Sequence, residues 1–205
     1  LTGTMLTDID LTGADLTNAV LAGAILTGAD LTNAVLTNTI LNCVGHPVCV
    51  PTGNELSGRD LSGEKLENID LSNMDLTGTI LTGADMTNAV LTNTILTGAD
   101  LSNSILTGID LSNMDLTGMI LTGADLSRND LSNTILTGAD LSNAILETTN
   151  LIDTDLRNAN LSDADLKNSL LVDANLSNAI LTGADLTNTV LSGAILTGAD
   201  LENAI

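Results

Sequence analysis

The sequence contains no phenylalanine, tryptophan or tyrosine, and only two prolines, two cysteines and one histidine. A core without aromatic rings has to be filled by aliphatic side chains. Few side chains could act as a general base, because the chain has only one histidine and five lysines and arginines, so hardly any nucleophile could be activated. We therefore expect no enzyme, no catalytic residue, no metal site and no cofactor.

Positive charge is scarce as well, since 26 acidic residues against five basic ones give a net charge of −21 at pH 7. Such an anionic surface repels nucleic acid and anionic membranes, which excludes both as direct partners. No apolar run approaches the roughly 18 residues of a membrane span, and no signal peptide is visible. The chain begins at Leu1 without a methionine, which predicts a processed or trimmed start.

The sequence consists almost entirely of one short repeat. Every fifth residue, counted from Leu1, is leucine, except Met86 and the two successive positions His46 and Pro51. A helix would scatter leucines at this spacing around its surface, and a strand would place them on alternating faces. A chain that turns a corner every five residues instead points every leucine toward one axis. An internal repeat of this kind predicts a solenoid.

The repeat units carry a recognisable motif. Residues 14–18 read Ala-Asp-Leu-Thr-Asn, and residues 99–103 read Ala-Asp-Leu-Ser-Asn. These units resemble the pentapeptide-repeat family, whose motif is Ala-Asp/Asn-Leu-x-x, and the resemblance covers residues 1–42 and 55–205. It implies an all-β fold, a right-handed quadrilateral parallel β-helix with four units per coil and about ten coils in one domain, 1–205. It also implies that the central leucine and the small residue two positions before it point inward, while the other three face outward.

Stacking must hold such coils together. Each buried leucine contributes roughly 1.5–3 kcal/mol, whereas ordering the backbone of one residue costs about 1–2 kcal/mol. The four leucines of a coil cannot offset that cost for all its residues, so a lone coil would not fold. We expect Leu16, Leu31, Leu101 and Leu136 to be fully buried.

Residues 43–54 break the repeat and contain both prolines, both cysteines and the only histidine. Proline cannot donate to a ladder, so we expect a loop that protrudes from the solenoid at about 43–54. The leucine phase resumes unshifted at Leu56, so the loop replaces a whole number of units. Directly after it, Arg59 and Glu64 occupy inward positions, which puts the regularity of that coil in question.

Cys43 and Cys49 lie close together in this loop, with His46 between them. They form a disulfide, remain two free thiols, or bind a metal together with the histidine. A structural zinc site needs four ligands and no fourth cysteine or histidine exists, so the disulfide is favoured. A disulfide implies an extracellular or cell-surface protein, whereas reduced cysteines would favour the cytoplasm.

The residue before each leucine is expected to face outward, and it varies between aspartate and aliphatic residues. With twenty residues per coil, the column through Asp60 continues as Ile80, Asp100, Ile120 and Asp140. Neighbours in such a column lie ~4.8 Å apart, where like charges repel, so the alternation separates charges. It also gives each wall apolar strips suited to lateral contact. The residues expected to make lateral contacts are Ile80, Ile95, Ile105, Ile120, Ile135 and Ile145.

Two interpretations apply to the rows of aspartate. They are either a solvated surface that keeps the protein soluble or binding sites for divalent cations. The solvated surface is the favoured interpretation, because outward carboxylates are expected on any acidic solenoid.

No capping helix or polar cap is recognisable at either end of the repeats. An uncapped coil exposes its leucines and a row of unpaired backbone groups. Two complementary ends can then join head to tail without closing a ring. The residues expected at the assembly ends are Leu1, Leu6, Leu11, Leu196, Leu201 and Ile205.

These features favour a non-enzymatic structural protein whose partner is itself and which polymerises into filaments. The resemblance implies an alternative, because family members that protect gyrase and topoisomerase imitate duplex DNA as anionic rods. This chain lacks the aromatic central residues and the C-terminal dimerising helix of those members. Ice binding is a lesser alternative, suggested by the row Thr77, Thr97, Thr117 and Thr137.

Overall fold

The computed structural model describes residues 1–21, 24–26, 29, 34 and 56–205. In these ranges the chain forms no helix, and its β-pairing consists of isolated one-residue bridges. No helix long and apolar enough to cross a membrane is therefore found in the described part of the chain. A turn followed by a single bridge residue repeats every five residues.

Each five-residue unit contains one β-turn. The C=O of its leucine accepts the N–H three residues later, as between Leu81 and Ala84 at 3.0 Å. Within residues 56–205 the third residue of every turn has a positive φ, for example 68° at Gly83 and 56° at Asn103. A positive φ at this position alone defines a type II turn, which favours Gly or Asn there. The turn thus explains why Gly, Asn and Asp dominate the position two residues after each leucine.

Successive coils pair through parallel bridges between residues twenty apart, such as Asp60 with Ile80 and Ile80 with Asp100. Four such ladders run along the molecule, one for each unit of a coil. The N–H of Leu81 donates to the C=O of Asp100 in the next coil at 2.7 Å, and the N–H of Asp100 donates back to the C=O of Thr79 at 2.9 Å. The predicted column through Asp60 is therefore confirmed as a ladder.

The core is a stack of leucines with small residues between them. Leu101 is 3% exposed and Leu136 is 0% exposed, as predicted, and Leu16 is also buried, whereas Leu31 lies outside the described residues. The inward residues two positions before the leucines are buried as well. They include Ala84, Ala99, Ala124, Ala139, Ala144 and Ala159. The predicted division into two inward and three outward positions is confirmed for the interior coils, whereas Thr4 and Ile9, at inward positions of the first coil, are exposed.

Polar residues at inward positions find hydrogen bonds in the coil below. The hydroxyl of Thr79 donates to the C=O of Leu56 at 2.9 Å. The buried Asn129 donates from Nδ2 to the C=O of Leu106 at 2.8 Å and accepts the N–H of Ile109 at 2.9 Å. The buried Ser104 instead donates to the C=O of Leu101 in its own turn at 2.7 Å. A buried polar group is costly unless it is paired, and each of these residues is paired with a backbone group.

Residues 56–205 form the second run of repeats, and its first coil is regular despite two charged inward residues. Arg59 and Glu64 are half-buried. Their C=O groups accept the N–H of Ile80 at 2.8 Å and of Asp85 at 2.9 Å, as in every regular pair of coils. Burial raises the pKa of Glu64, helped by the nearby negative charge of Asp60. The departure from small residues therefore leaves the ladders intact here.

The hydrogen-bond register lengthens across the segment that the structure does not describe. The N–H of Asp70 donates to the C=O of Ala34 at 3.3 Å, a separation of 36 residues, whereas the regular separation from Ile80 to Arg59 is 21 residues. The difference of 15 residues equals three units. The loop expected at 43–54 lies outside the described residues, as do Cys43 and Cys49, so the disulfide stays a prediction.

Replacing Leu136 with alanine is expected to lower the free energy of unfolding by about 2–5 kcal/mol, because it leaves a cavity in the stack. Leu201→Ala is the matched control, since Leu201 is 40% exposed and its truncation should cost much less. Urea denaturation followed by circular dichroism measures both changes. Equal losses in the two variants would show that the leucines do not form the continuous core described above.

Candidate interaction surfaces

Each ladder presents one outward side chain per coil. We number the ladders one to four by their first residues in the second run, Asp60, Lys65, Asp70 and Asp75. Ladder one alternates aspartate with isoleucine as far as Asp140. The outward surface therefore combines two kinds of side chain, hydrogen-bonded carboxylates and exposed aliphatic groups.

The outward aspartates stabilise the turns that follow them. Oδ1 of Asp100 accepts the N–H of Ser102 at 2.9 Å and also the hydroxyl of Ser102. These bonds lower the pKa of Asp100. At Asp185, hydrogen bonds from the Thr187 hydroxyl and N–H, together with Lys167, lower the pKa to about 2. These carboxylates stay ionised at neutral pH. They therefore continue to accept the hydrogen bonds of the turns, and the surface keeps its negative charge.

One pair of vertically adjacent aspartates is neutralised by a lysine. Asp165 and Asp185 are bridged neighbours in ladder two. Nζ of Lys167 lies 3.0 Å from a carboxylate oxygen of each. Like charges at this spacing repel, and the ammonium between them offsets the repulsion. Hydrogen bonds to Asp165 and Asp185 raise the pKa of Lys167, so it remains charged.

The other such pair within residues 56–205 is Asp110 and Asp130 in ladder three. No ion pair among the described residues involves either of them. Asp130 instead accepts Nδ2 of Asn150 from the next coil at 3.0 Å. This pair is the most concentrated negative charge along a ladder that no cation of the described chain offsets.

The isoleucines predicted to make lateral contacts are all exposed, by 40% to 51%. Each of three ladders holds two of them with one aspartate between. The pairs are Ile80 and Ile120, Ile105 and Ile145, and Ile95 and Ile135. The aspartate between them interrupts the apolar surface, as expected if the alternation separates charges. Isolated aliphatic side chains therefore remain available to a partner.

The coil 186–205 is paired on one side only. Its leucines are less buried than those below, with Leu196 half-buried and Leu201 more exposed, and Ile205 is 77% exposed. The N–H groups of Leu191, Leu196 and Leu201 have no acceptor among the described residues. The coil therefore presents both apolar side chains and free backbone donors.

The leucines of the first coil differ in exposure. Leu6 is buried and Leu11 is half-buried, whereas Leu1 is 52% exposed. Of the six residues expected at the ends, Leu1, Leu201 and Ile205 are the exposed ones. The other three already lie partly or wholly in the core.

Carboxylates do not converge on a metal site in the described part of the chain, since no group of three or more His, Cys, Asp or Glu could hold an ion. The outward aspartates are spread one per unit. Binding of divalent cations to the rows stays a prediction.

Sequence reasoning missed an opening in ladders three and four. Bridges join Asp70 to Val90 and Asp75 to Ile95, but none joins Val90 or Ile95 to the next coil. A cavity of about 600 Å³ lies between residues 91–97 of one coil and residues 110–115 of the next. The large inward residues Ile109 and Met114 are not a sufficient signal in the sequence, because they recur as Ile69 and Met74 beside bridges that are formed.

Replacing Lys167 with methionine is expected to raise the pKa of Asp185 and lower the thermal midpoint, because Asp165 and Asp185 would then repel each other directly. The loss should shrink at high salt, which screens exposed charges. Carboxyl carbon NMR and thermal unfolding at two salt concentrations measure these effects. Arg157→Met is the control, since Arg157 pairs with the single carboxylate Asp155. An unchanged pKa at Asp185 would contradict the bridging role.

Acid is expected to destabilise the solenoid between about pH 4 and about pH 2. Asp100, Asp115, Asp140 and Asp185 have lowered pKa values, chiefly through hydroxyl and N–H donors two residues later that outweigh the effect of burial. A carboxyl with a depressed folded-state pKa contributes stability above its unfolded pKa and loses it as the pH falls through the folded one.

The test is Thr187→Val, which removes the hydroxyl donor to Asp185 and should make the melting temperature less sensitive to acid. Thr197→Val is the matched control, because Thr197 follows the uncharged Ile195. The same acid sensitivity in both variants and the parent would count against this role of the aspartates.

Comparison with known proteins agrees with this geometry. A family model for pentapeptide repeats matches eight copies, which cover residues 1–42 and, in overlapping stretches, 55–205. A search of curated proteins finds no significant match.

Among solved structures, HetL, a pentapeptide repeat protein involved in heterocyst differentiation regulation from the cyanobacterium Nostoc sp. strain PCC 7120, is 34% identical over 100% of this chain and 90% of its own, with a TM-score of 0.41. Two trypsin-treated variants of QnrB1, a plasmid-mediated fluoroquinolone resistance protein, are 22% identical. Their matches cover 96% and 98% of this chain and 90% of theirs, with TM-scores of 0.53 and 0.54. At that identity the likeness shows the fold alone, which is of the β-helix type. This chain belongs to the pentapeptide-repeat family, whose members are in general non-enzymatic structural or interaction proteins.

Proposed function

We propose that this chain is a non-enzymatic structural protein that assembles head to tail into filaments. Each molecule would contribute about ten coils of a right-handed quadrilateral β-helix. The observation that carries the proposal is the coil 186–205, in which the N–H groups of Leu191, Leu196 and Leu201 have no acceptor among the described residues and the leucines are incompletely covered. A free edge of this kind is a template for pairing with another chain.

The register of the ladder permits this contact. One coil below, the N–H of Leu171 donates to the C=O of Val190, nineteen residues later, at 2.8 Å. The same rule applied to Leu191 places its acceptor at the fifth residue beyond Ile205. If a second copy continues the solenoid in phase, that residue is its Met5. The repeat therefore continues across the junction without a change of spacing.

Side chains support the same arrangement. In this register Leu1 of the next copy stacks on Leu186, and its Leu16 stacks on Leu201. The exposed apolar surface of Leu1 and Leu201 is thereby removed from water, at roughly 25 cal/mol per Å². The ionised aspartates on the ladders keep neighbouring filaments apart. Exposed isoleucines such as Ile120 and Ile135 allow specific lateral contacts where two rods meet.

Sedimentation and negative-stain electron microscopy of the purified 205-residue chain test the proposal. Filaments are expected, and Leu1→Lys combined with Leu201→Lys should abolish them by placing charges at the junction. Both leucines are exposed, so the variant is expected to fold. The control carries Ile120→Lys and Ile135→Lys on the ladders. A chain that stays monomeric at high concentration would overturn the proposal, and filaments lost only in the control would move the contact to the walls.

A second candidate function is an anionic rod that imitates DNA and binds a topoisomerase or gyrase-like partner. The net charge of −21 and the ionised aspartates on the ladders favour it. A supercoiling assay with and without the chain tests this function. No effect at a large molar excess would remove it.

Ice binding has the least support. The hydroxyl of Thr117 already donates to Asp115 at 2.6 Å, and Arg157 takes the place of the next threonine in the row. Thermal hysteresis of the purified chain tests this function directly.

The extracellular or cell-surface location depends on a bond between Cys43 and Cys49. Intact mass measured with and without reduction and alkylation tests it. Two alkylated thiols in the chain isolated without reductant would favour the cytoplasm instead.

A further inference from the structure

Two neighbouring coils are not hydrogen-bonded to each other over ladders three and four. In the coil below, the N–H of Leu76 donates to the C=O of Ile95 at 2.8 Å, and the N–H of Leu71 donates to the C=O of Val90 at 3.0 Å. The equivalent donors one coil later find no acceptor in the described structure. The ladder N–H groups on the two rims that find no acceptor in the described structure include those of Leu91, Asn93, Leu96, Asp110 and Asp115.

The opening is a groove that follows the course of the chain around one corner. Its lower rim is residues 91–97, and its upper rim is Asp110 with residues 112–115. The half-buried Met114 lines its floor. Residues 69–78 and 109–118 have identical sequences, and the coil between them pairs with the first copy but not with the second. The small inward residues Ala89 and Thr94 thus lie between two layers of larger inward residues, Ile69 with Met74 and Ile109 with Met114. Their coil forms ladder bridges on this side only to the first of these layers.

Unpaired backbone groups identify the occupant as a polypeptide. Each buried N–H or C=O without a partner costs free energy comparable to a lost hydrogen bond. Both rims are edges of parallel ladders, so one extended segment lying between them can donate to and accept from both. Such strand addition to an exposed edge is a common mode of peptide recognition.

The side chains of the rims select a basic peptide. Oδ1 of Asp110 accepts the N–H of Ser112 at 3.0 Å, and Oδ1 of Asp115 accepts the N–H of Thr117 at 3.0 Å. The second oxygen of each carboxylate has no partner in the described structure. The outward residues of the same two ladders one coil below are the exposed Ile95, which lies on the lower rim, and the exposed Val90, which directly precedes that rim. A lysine of a bound segment would lie between Val90 and Asp110, or between Ile95 and Asp115. Its aliphatic stem would pack on the apolar side chain, and its ammonium would pair with the carboxylate.

We propose that this groove binds an extended basic segment of a partner protein as an additional parallel strand. Outward positions on adjacent ladders are five residues apart, and the residue after each points inward. The segment therefore carries two lysines or arginines five residues apart, each followed by an apolar residue, with a glycine at the turn between them. This binding uses the wall and does not depend on how the ends assemble.

The probe is a fluorescently labelled Lys-Leu-Thr-Gly-Ala-Lys-Leu peptide, and its binding is measured by fluorescence anisotropy. Binding that weakens with salt is expected. The variant with Asp110→Asn and Asp115→Asn should bind about tenfold more weakly, which corresponds to about 1.4 kcal/mol. Asp70→Asn with Asp75→Asn is the control, because these residues occupy the same places in the identical segment 69–78, which does not line the groove. No binding to the parent protein, or an equal loss in both variants, would overturn the proposal.

A charge-reversed peptide, Asp-Leu-Thr-Gly-Ala-Asp-Leu, distinguishes a basic partner from a repeat unit of a second copy of this chain. It should not bind. Equal affinity for both peptides would show that the groove accepts the repeat backbone itself and would overturn the choice of a basic partner.

Hydrogen exchange tests the backbone pairing independently of charge. In the free protein the amides of Leu91 and Leu96 should exchange faster than those of Leu71 and Leu76, and the basic peptide should protect them. Equal protection of all four amides before any peptide is added would mean that the ladders are closed in solution, which would overturn the proposal.

Discussion

The backbone ladder between residues twenty apart is the interaction on which the rest of this molecule depends. A leucine inside the stack, such as Leu136, is buried by the coils above and below it, and those coils are held by bonds such as the one from Leu81 to Asp100. No coil could offset the conformational entropy of its own residues alone. Stability is therefore shared between neighbours, as expected for a quasi-one-dimensional fold. It follows that each coil face without a neighbour exposes both leucine side chains and backbone groups.

The outward position before each leucine meets two requirements that conflict. Aspartate there caps the following turn, as Asp100 does for Ser102, so every unit favours it locally. Stacked aspartates repel, so successive coils disfavour it. Alternation with isoleucine is one solution, and a shared cation is another, as Lys167 shows between Asp165 and Asp185. The acidic surface with isolated apolar residues is thus a consequence of turn chemistry and charge spacing before any partner is considered.

Much of the fold could be predicted from the sequence because each rule acts within one unit or between units a fixed distance apart. The ladder through Asp60, the burial of Leu136 and the exposure of Ile120 follow from period and position alone. The opening beside Met114 could not be predicted, since it depends on whether the inward volumes of two particular coils match in three dimensions. The unpaired state of Leu191 in the last coil was expected. The partial burial of Leu11 and Leu196 was not expected, and both pack against the leucine core.

The coil 186–205 and the groove in the wall expose the same backbone chemistry, but the two proposals give them different partners. At the coil 186–205 the whole circuit of the chain is open, so the surface that fits it best is another complete coil with leucines of its own. In the groove, coils lie on both sides and two ladders of the same turn are closed, so a complete coil cannot enter and a single segment can. The charges differ in the same sense. The coil 186–205 exposes mainly leucine and backbone donors, whereas Asp110, Asp115 and Ile95 line the groove. Self-assembly and capture of a basic segment are therefore compatible in one molecule, because neither uses the surface that the other needs.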